Sequence, residues 1–153
     1  MPENADQFDV VVVGAGNAAL CAALAAREKG ASVLVLEKAA EHARGGNSYF
    51  SGGLFRFPFT GLPDLEDVVG PIAQADKDRI EVDPYTESDF YSDLMRVTEG
   101  LADPELAGKL VGDAAGTVRW MVGKGVRWVL AYGRQAYEVD GKFKFWGGLV
   151  CEA

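Results

Sequence analysis

The hydrophobic positions near the start of the chain run without alternation. Val10–Val13 are four consecutive β-branched residues, which predicts a strand covered on both faces. Gly14 and Gly16 interrupt the run, and Asn17 opens the helix-forming stretch Ala18–Arg27. Gly30 ends that stretch, and Ser32–Leu36 (Ser-Val-Leu-Val-Leu) reads as a second strand. Residues 8–37 thus predict a strand–helix–strand unit whose strands are parallel. Residues 38–88 lose the periodicity and are rich in glycine and proline. Connections of that length are usually functional or disordered, and Tyr49, Phe50, Phe55, Phe57 and Phe59 argue against disorder.

Helical spacing returns at Ser88–Thr98, with Tyr91, Leu94, Met95 and Thr98 on one side. Asp103 reads as an N-cap with Pro104 at the first helical position. The stripe Leu106, Leu110, Ala114, Val118 and Met121 predicts the core face of a long helix that ends at Gly123 and Gly125. Val126–Leu130 follows as a short strand. Tyr137–Val139 and Lys142–Phe145 flank Asp140-Gly141, a two-residue hairpin signal. Gly147-Gly148 and Leu149–Ala153 read as the opening of another helix. Only Val10–Val13 and Val33–Leu36 belong clearly to a parallel sheet. The sheet therefore looks unfinished, and the chain reads as the N-terminal piece of a larger protein.

The chemistry is concentrated at the first break. A buried strand, a Gly-x-Gly turn and a helix start form the arrangement that receives a dinucleotide pyrophosphate. Gly14 allows the turn out of the strand, Gly16 lets backbone approach the phosphates, and Ala19 at the third position keeps the helix close to the strand. Helix-start N–H groups then face the anion. Glu37 ends the second strand about twenty residues later, where a carboxylate can accept both hydroxyls of an adenosine ribose. The plain alternative is a βαβ unit with a tight turn and an exposed glutamate. Val10–Ala26 is too short and too interrupted for a membrane span. Residues 1–8 carry Glu3 and Asp6 without a basic group, unlike a secretory leader.

Composition narrows the classes further. The net charge of −8 argues against a nonspecific nucleic-acid surface. Cys21 and Cys151 are far apart and fit no disulfide framework or metal spacing, which suits a cytoplasmic compartment, and Cys21 reads as a small core residue. The single histidine, His42, has no second ligand nearby, so zinc chemistry is unsupported.

Up to Glu37 either NAD or FAD is admissible. The next loop, Arg44-Gly45-Gly46-Asn47-Ser48 followed by Ser51-Gly52-Gly53, is a second glycine-rich segment. FAD, with its ribityl chain and large ring, needs backbone along a greater length. With these motifs the chain resembles the N-terminus of the fumarate reductase and succinate dehydrogenase flavoprotein family. Gly16–Gly30 together with Arg-Gly-Gly-Asn-Ser is most similar to the tricarballylate dehydrogenase type. The resemblance is strong over residues 8–56 and extends from about 88 to the end.

It implies an α/β fold with an incomplete Rossmann-like βαβ unit, followed by an α+β segment with a helical pair and a hairpin. The expected divisions are 1–56 (FAD-binding unit and flavin loop), 57–87 (irregular connection) and 88–153. Gly14, Ala15, Gly16, Asn17 and Ala18 would lie at the pyrophosphate, and Glu37 and Lys38 at the ribose. Gly45, Gly46, Asn47 and Ser48 would hold the ribityl and diphosphate region, and Ser51, Gly52 and Gly53 would approach the flavin ring. The loop offers Tyr49-Phe50 where some members carry a tethering histidine, so the flavin would be noncovalent.

Arg56 is the local candidate for a substrate carboxylate, with Arg44 second, beside the ordinary reading of a solvated arginine. The resemblance implies hydride exchange with a small carboxylate of the tricarballylate, succinate or fumarate kind, and an unidentified electron partner. The acid and base of the family lie downstream, so none is named here. Two other readings stay open: an NAD-linked dehydrogenase, and a noncatalytic or truncated nucleotide-binding module.

Overall fold

The computed structural model describes residues 7–153, so the reading of residues 1–8 lies mostly outside the described residues. The chain forms two compact units that meet in sequence at Gly52 and Gly53.

In the first unit β1 (Val10–Val13) and β2 (Val33–Leu36) pair in parallel, Val10 opposite Val33 and Val13 opposite Leu36. Helix α1 (Asn17–Glu28) joins them, and alanines make up half of its length, so it packs closely on the strands. The N-terminal ends of the strands are fastened by Asp9 and Ser32. The Ser32 amide and hydroxyl both donate to Asp9 Oδ2 at 2.7 Å, and the Asp9 amide donates to Ser32 Oγ at 3.0 Å. These bonds hold the Asp9 carboxyl below its usual range, the Ser32 amide contributing most. Burial corrects one expectation. Only Val12 of β1 is buried, while Val11 and Val13 stand 52% and 82% exposed, because a lone helix covers one face of a two-stranded sheet.

The second unit holds α2 (Leu62–Val69), α3 (Gln74–Lys77), α4 (Glu87–Val97), α5 (Pro104–Gly123) and α6 (Tyr132–Gln135). Two three-stranded sheets accompany them. In one, β8 (Cys151–Glu152) runs antiparallel between β3 (Leu54–Phe55) and β5 (Val129–Leu130). In the other, β7 (Lys142–Phe145) lies parallel to β4 (Ile80–Val82) and antiparallel to β6 (Ala136–Val139). The β6–β7 turn is Asp140-Gly141, both at positive φ, as a two-residue hairpin turn of this hand requires.

Residues 57–87, expected as an irregular connection, supply much of this unit's core. Phe57, Phe59, Leu65, Val68 and Tyr85 are all buried. Phe59 and Tyr85 exchange backbone hydrogen bonds of 2.9 and 3.0 Å, and the rings of Phe57, Phe59, Tyr85 and Phe90 follow one another at 6.0–6.3 Å. An isolated bridge and short elements bury aromatics without repeating a period, which is why the pattern hid them. The ending also differs from expectation. Cys151–Glu152 form the central strand β8, because Gly53 and Ala131 engage Ala153 and Val150 through backbone hydrogen bonds.

Helix α5 departs from the predicted stripe in its first turns, while Val118 and Met121 are buried as expected. Asp103 caps it as expected, accepting from the Glu105 and Leu106 amides at 2.9 Å, and Pro104 follows. Its buried residues are Ala107, Val111, Val118 and Met121, whereas Leu106 and Leu110 are 67% and 52% exposed. Helices α4 and α2 pack on α5, and the leucines lie one residue off its buried set. Replacing Val111, buried and outside the predicted stripe, with Ala is expected to cost about 1–3 kcal/mol in chemical denaturation, as for other buried large-to-small changes. Leu106→Gln should stay within about 0.5 kcal/mol. The reverse ranking would restore the predicted stripe.

Candidate functional site

The parallel register brings the ends of β1 and β2 to one level. The Gly14 amide donates to the Leu36 carbonyl at 2.6 Å, closing the ladder. Gly14 then turns at φ +103°, a conformation that a side chain at Cβ disfavours, although a Cβ there would meet nothing within 4 Å. Its requirement is conformational. Beyond the ladder, Glu37 takes over from the backbone. Its Oε2 accepts the Ala15 amide at 2.9 Å and its Oε1 the Ala39 amide at 2.8 Å. The hydrogen bonds from Ala39 and Ala15, assisted by Gly45 and Lys38 amides, hold the half-buried Glu37 carboxyl below its ordinary range.

Gly16 precedes α1 and supplies no side-chain cap. The cap comes from 31 residues away: Ser48 Oγ accepts the Asn17 amide at 2.9 Å. A Cβ on Gly16 would stand 3.3 Å from the Gly45 carbonyl oxygen and 3.6 Å from Ser48 Oγ. That glycine therefore makes room for the second loop, a reason the sequence pattern did not supply. The loop is a tight 3₁₀ turn, Gly46–Phe50, entered through Gly45 in the left-handed region. Ser51 Oγ donates to the Ser48 carbonyl at 2.9 Å and closes it.

The first unit thus assembles Gly14, Ala15, Gly16, Asn17, Glu37, Gly45 and Ser48 around one turn. Ala18 follows in the first turn of α1, Lys38 and Gly46 lie beside Glu37 and Gly45 in sequence, and Asn47 is exposed on the 3₁₀ turn. Gly53 and Arg56 belong to the second unit. A Cβ on Gly53 would collide with the Ala153 carbonyl, and its φ of +76° also favours glycine, so strand packing and backbone conformation explain that residue. Arg56 is drawn into its own unit: its Nη1 donates to Asp93 Oδ2 at 2.9 Å and to the Tyr85 hydroxyl at 2.6 Å, and the guanidinium lies over the Tyr85 and Phe90 rings. Cys21 is half-buried rather than core, with its thiol 3.8 Å from Asn17 Oδ1.

These residues fit the adenosine diphosphate half of a dinucleotide. An ionised carboxylate offers about four lone-pair positions. Ala15 and Ala39 each bind one oxygen of Glu37, and its remaining acceptor positions, toward which the Gly45 and Lys38 amides also lie, are those a vicinal diol would use. The turn at Gly14–Asn17 presents bare backbone, and the N–H groups opening α1 have no partner one turn back. Among the described residues, no three His, Cys, Asp or Glu side chains gather as metal ligands, and no helix is long and apolar enough to cross a membrane.

The family described as FAD binding domain matches residues 9–144. The chain belongs to this FAD-binding family. L-aspartate oxidase from Mycobacterium tuberculosis is 35% identical over 122 residues, which cover 80% of this chain and 19% of the relative. Urocanate reductase from Eggerthella lenta is 32% identical over 144 residues, 92% of this chain and 19% of that protein. Among solved structures, the open conformation of a flavocytochrome c3 fumarate reductase aligns with a TM-score of 0.58 at 25% identity, covering 95% of this chain and 23% of that one. The chain therefore spans about a fifth of the length of the curated relatives it matches. Its α/β fold and its relatives are those of fumarate-type flavoproteins, and its cofactor is FAD.

The Glu37 geometry predicts an acid response. A carboxyl whose folded pKa lies below its unfolded value stabilises fully above the unfolded value, about pH 4.3 for glutamate. That stabilisation disappears as pH falls through the lower folded value. Glu37→Gln should therefore melt below the unaltered chain at neutral pH, and the gap should close on acidification. A gap independent of pH would contradict the assignment of the charged form to the two amides.

Proposed function

We propose that the chain is the FAD-binding N-terminal portion of a flavin-dependent oxidoreductase acting on a carbon–carbon bond beside a carboxylate, of the tricarballylate, succinate or fumarate kind. The observation that carries this reading is the seating of the second glycine-rich loop on the first turn, through Ser48 Oγ on the Asn17 amide. A nucleotide lying along that joint meets backbone from two loops, the continuous approach that a long flavin dinucleotide needs. Urocanate reductase and fumarate reductase, by their names, reduce unsaturated carboxylates, and L-aspartate oxidase acts on an amino acid with two carboxylates. A small carboxylate substrate follows for this protein by likeness. The similarity of Gly16–Gly30 and Arg44–Ser48 to the tricarballylate dehydrogenase type makes a tricarboxylate the first to try.

When bound, FAD supplies the hydride-accepting and hydride-donating ring. The chain's own residues bind and orient it. The turn at Gly14–Ala18 takes the pyrophosphate, Glu37 and Lys38 the ribose, and Gly45–Ser48 the ribityl and diphosphate region, with Ser51 to Gly53 toward the ring. We assign Arg56 to the framework of the second unit, since Asp93 and Tyr85 already engage it. The flavin-binding unit ends at Gly52, and Gly53–Ala153, with 57–87 inside it, form the second body. A cytoplasmic, noncovalently loaded protein with a separate electron partner completes the reading.

The full-length protein containing this stretch should be purified with its flavin and assayed with tricarballylate, succinate and fumarate, using a dye as electron acceptor or donor. We expect a yellow protein with turnover on at least one of the three. Acid precipitation should give a colourless pellet and a yellow supernatant, since the loop nearest the ring carries no histidine and its Ser48 and Ser51 hydroxyls already serve the fold. A colourless preparation that cannot be loaded with FAD would overturn the proposal. Flavin retained in the denatured pellet would overturn its noncovalent part.

A further inference from the structure

The Glu37 carboxylate is occupied before any nucleotide is considered. The last backbone hydrogen bond between the strands is Gly14 N–H to the Leu36 carbonyl. One residue further, β1 has turned away at Gly14 and no carbonyl of β2 can reach the Ala15 amide. Glu37 Oε2 accepts that amide at 2.9 Å, and Oε1 accepts Ala39 at 2.8 Å. A single side chain thereby ties the first turn to the loop that leaves β2. Farther along that loop, Ser48 Oγ makes the second tie, to Asn17. A ligand that touched Glu37 without displacing Ala15 and Ala39 would leave both amide bonds in place.

We propose that Glu37 is a positioning residue that fixes the shape of the glycine turn in the absence of nucleotide, in addition to accepting the ribose hydroxyls. This rests on the flavin reading above, which places the adenosine diphosphate at that turn. The carboxylate is suited to this role because it only accepts. Glutamine at the same position offers one oxygen and turns an NH₂ group toward an amide donor, so one tie is lost and replaced by a clash of donors. If the turn then samples other conformations, apparent affinity falls by the fraction that stays competent. That loss falls on any ligand using the turn, with or without ribose hydroxyls.

The comparison uses the full chain, two ligands and calorimetry: ADP, and 2′,3′-dideoxyadenosine 5′-diphosphate, which has the phosphates but no diol. The unaltered chain should bind both. Glu37→Gln should weaken the dideoxy ligand about tenfold, the loss of one charge-assisted hydrogen bond, and ADP at least as much. If Glu37→Gln weakens ADP but binds the dideoxy ligand as tightly as the unaltered chain, Glu37 touches ribose alone; the positioning role is then overturned while the flavin reading stands. If the unaltered chain binds neither ADP nor FAD, the flavin reading fails and this proposal with it. Should the variant not fold, amide hydrogen exchange on the unaltered chain decides. The Ala15 and Ala39 amides are expected to be protected without nucleotide, and exchange at free-peptide rates would overturn the proposal.

Discussion

Two parallel strands that end at one level leave a row of amides that no further strand residue can satisfy, and the glycine turn exists in a defined shape only if something else accepts them. In this chain that acceptor is the Glu37 carboxylate, bound to Ala15 and Ala39 at 2.9 and 2.8 Å. The register of Val13 with Leu36 sets its reach. The Asp9–Ser32 hydrogen bonds at the opposite end keep that register from slipping, since a shift of one residue would move Glu37 away from Ala15. Site and strand pairing are thus the same structure seen at two ends. Gly14 turns the chain, Gly16 leaves space, and Ser48 caps α1 from the second loop.

The second unit is held together by different means. Its core is a succession of aromatic rings from Phe57 to Phe90, with Phe55 edge-on to Trp128 at 5.0 Å. Arg56, Tyr85 and Asp93 form a polar cluster against that core. The Tyr85 hydroxyl both accepts from Arg56 and donates to Asp93, whose carboxyl is held below its usual range by Arg96 first and by Tyr85 and Arg56 after it. Tyr85 also packs against Gly148, where a Cβ would collide with its ring. In the Gly147-Gly148 pair, which reads like a helix start in sequence, Gly148 is thereby accounted for by an aromatic neighbour and Gly147 by its positive φ of 62°. Cys151, fully enclosed in β8, has its thiol pushed up to about 12 by burial and serves as packing.

Much of the first unit is legible in the sequence, because its elements are long enough to repeat and its turn uses residues with narrow physical meaning. Val10–Val13, the Gly14 turn, Asn17, Val33–Leu36 and Glu37 all stand where the pattern puts them. The Asp103 cap and the Asp140-Gly141 turn were legible for the same reason. Less legible was anything decided between distant residues. The Ser48–Asn17 cap joins positions 31 apart, and no local rule points to it. The Thr86 capping box with Asp89 starts α4 two residues before the apolar spacing begins. In the first turns of α5 the predicted stripe lies one residue off, because both Leu106 and Ala107 fit a helical period and only tertiary packing selects Ala107, whereas Val118 and Met121 are buried as predicted. Short strands such as Leu54–Phe55 and Cys151–Glu152 carry too few residues to alternate, so pairing across the chain defines them.

The central claim, that the two loops of the first unit form the nucleotide seat of an FAD-binding domain, is tested most directly by amide chemical shifts. Nitrogen–proton correlation spectra of the full chain should be recorded while FAD is added. The account predicts that the amides of Gly14 to Ala18, Lys38, Ala39 and Gly45 to Ser48 shift together and saturate at one ligand per chain, whereas those of β6, β7 and α5 stay in place. Saturable shifts centred on any other set of residues, with the Gly14 and Gly45 loops unmoved, would contradict it.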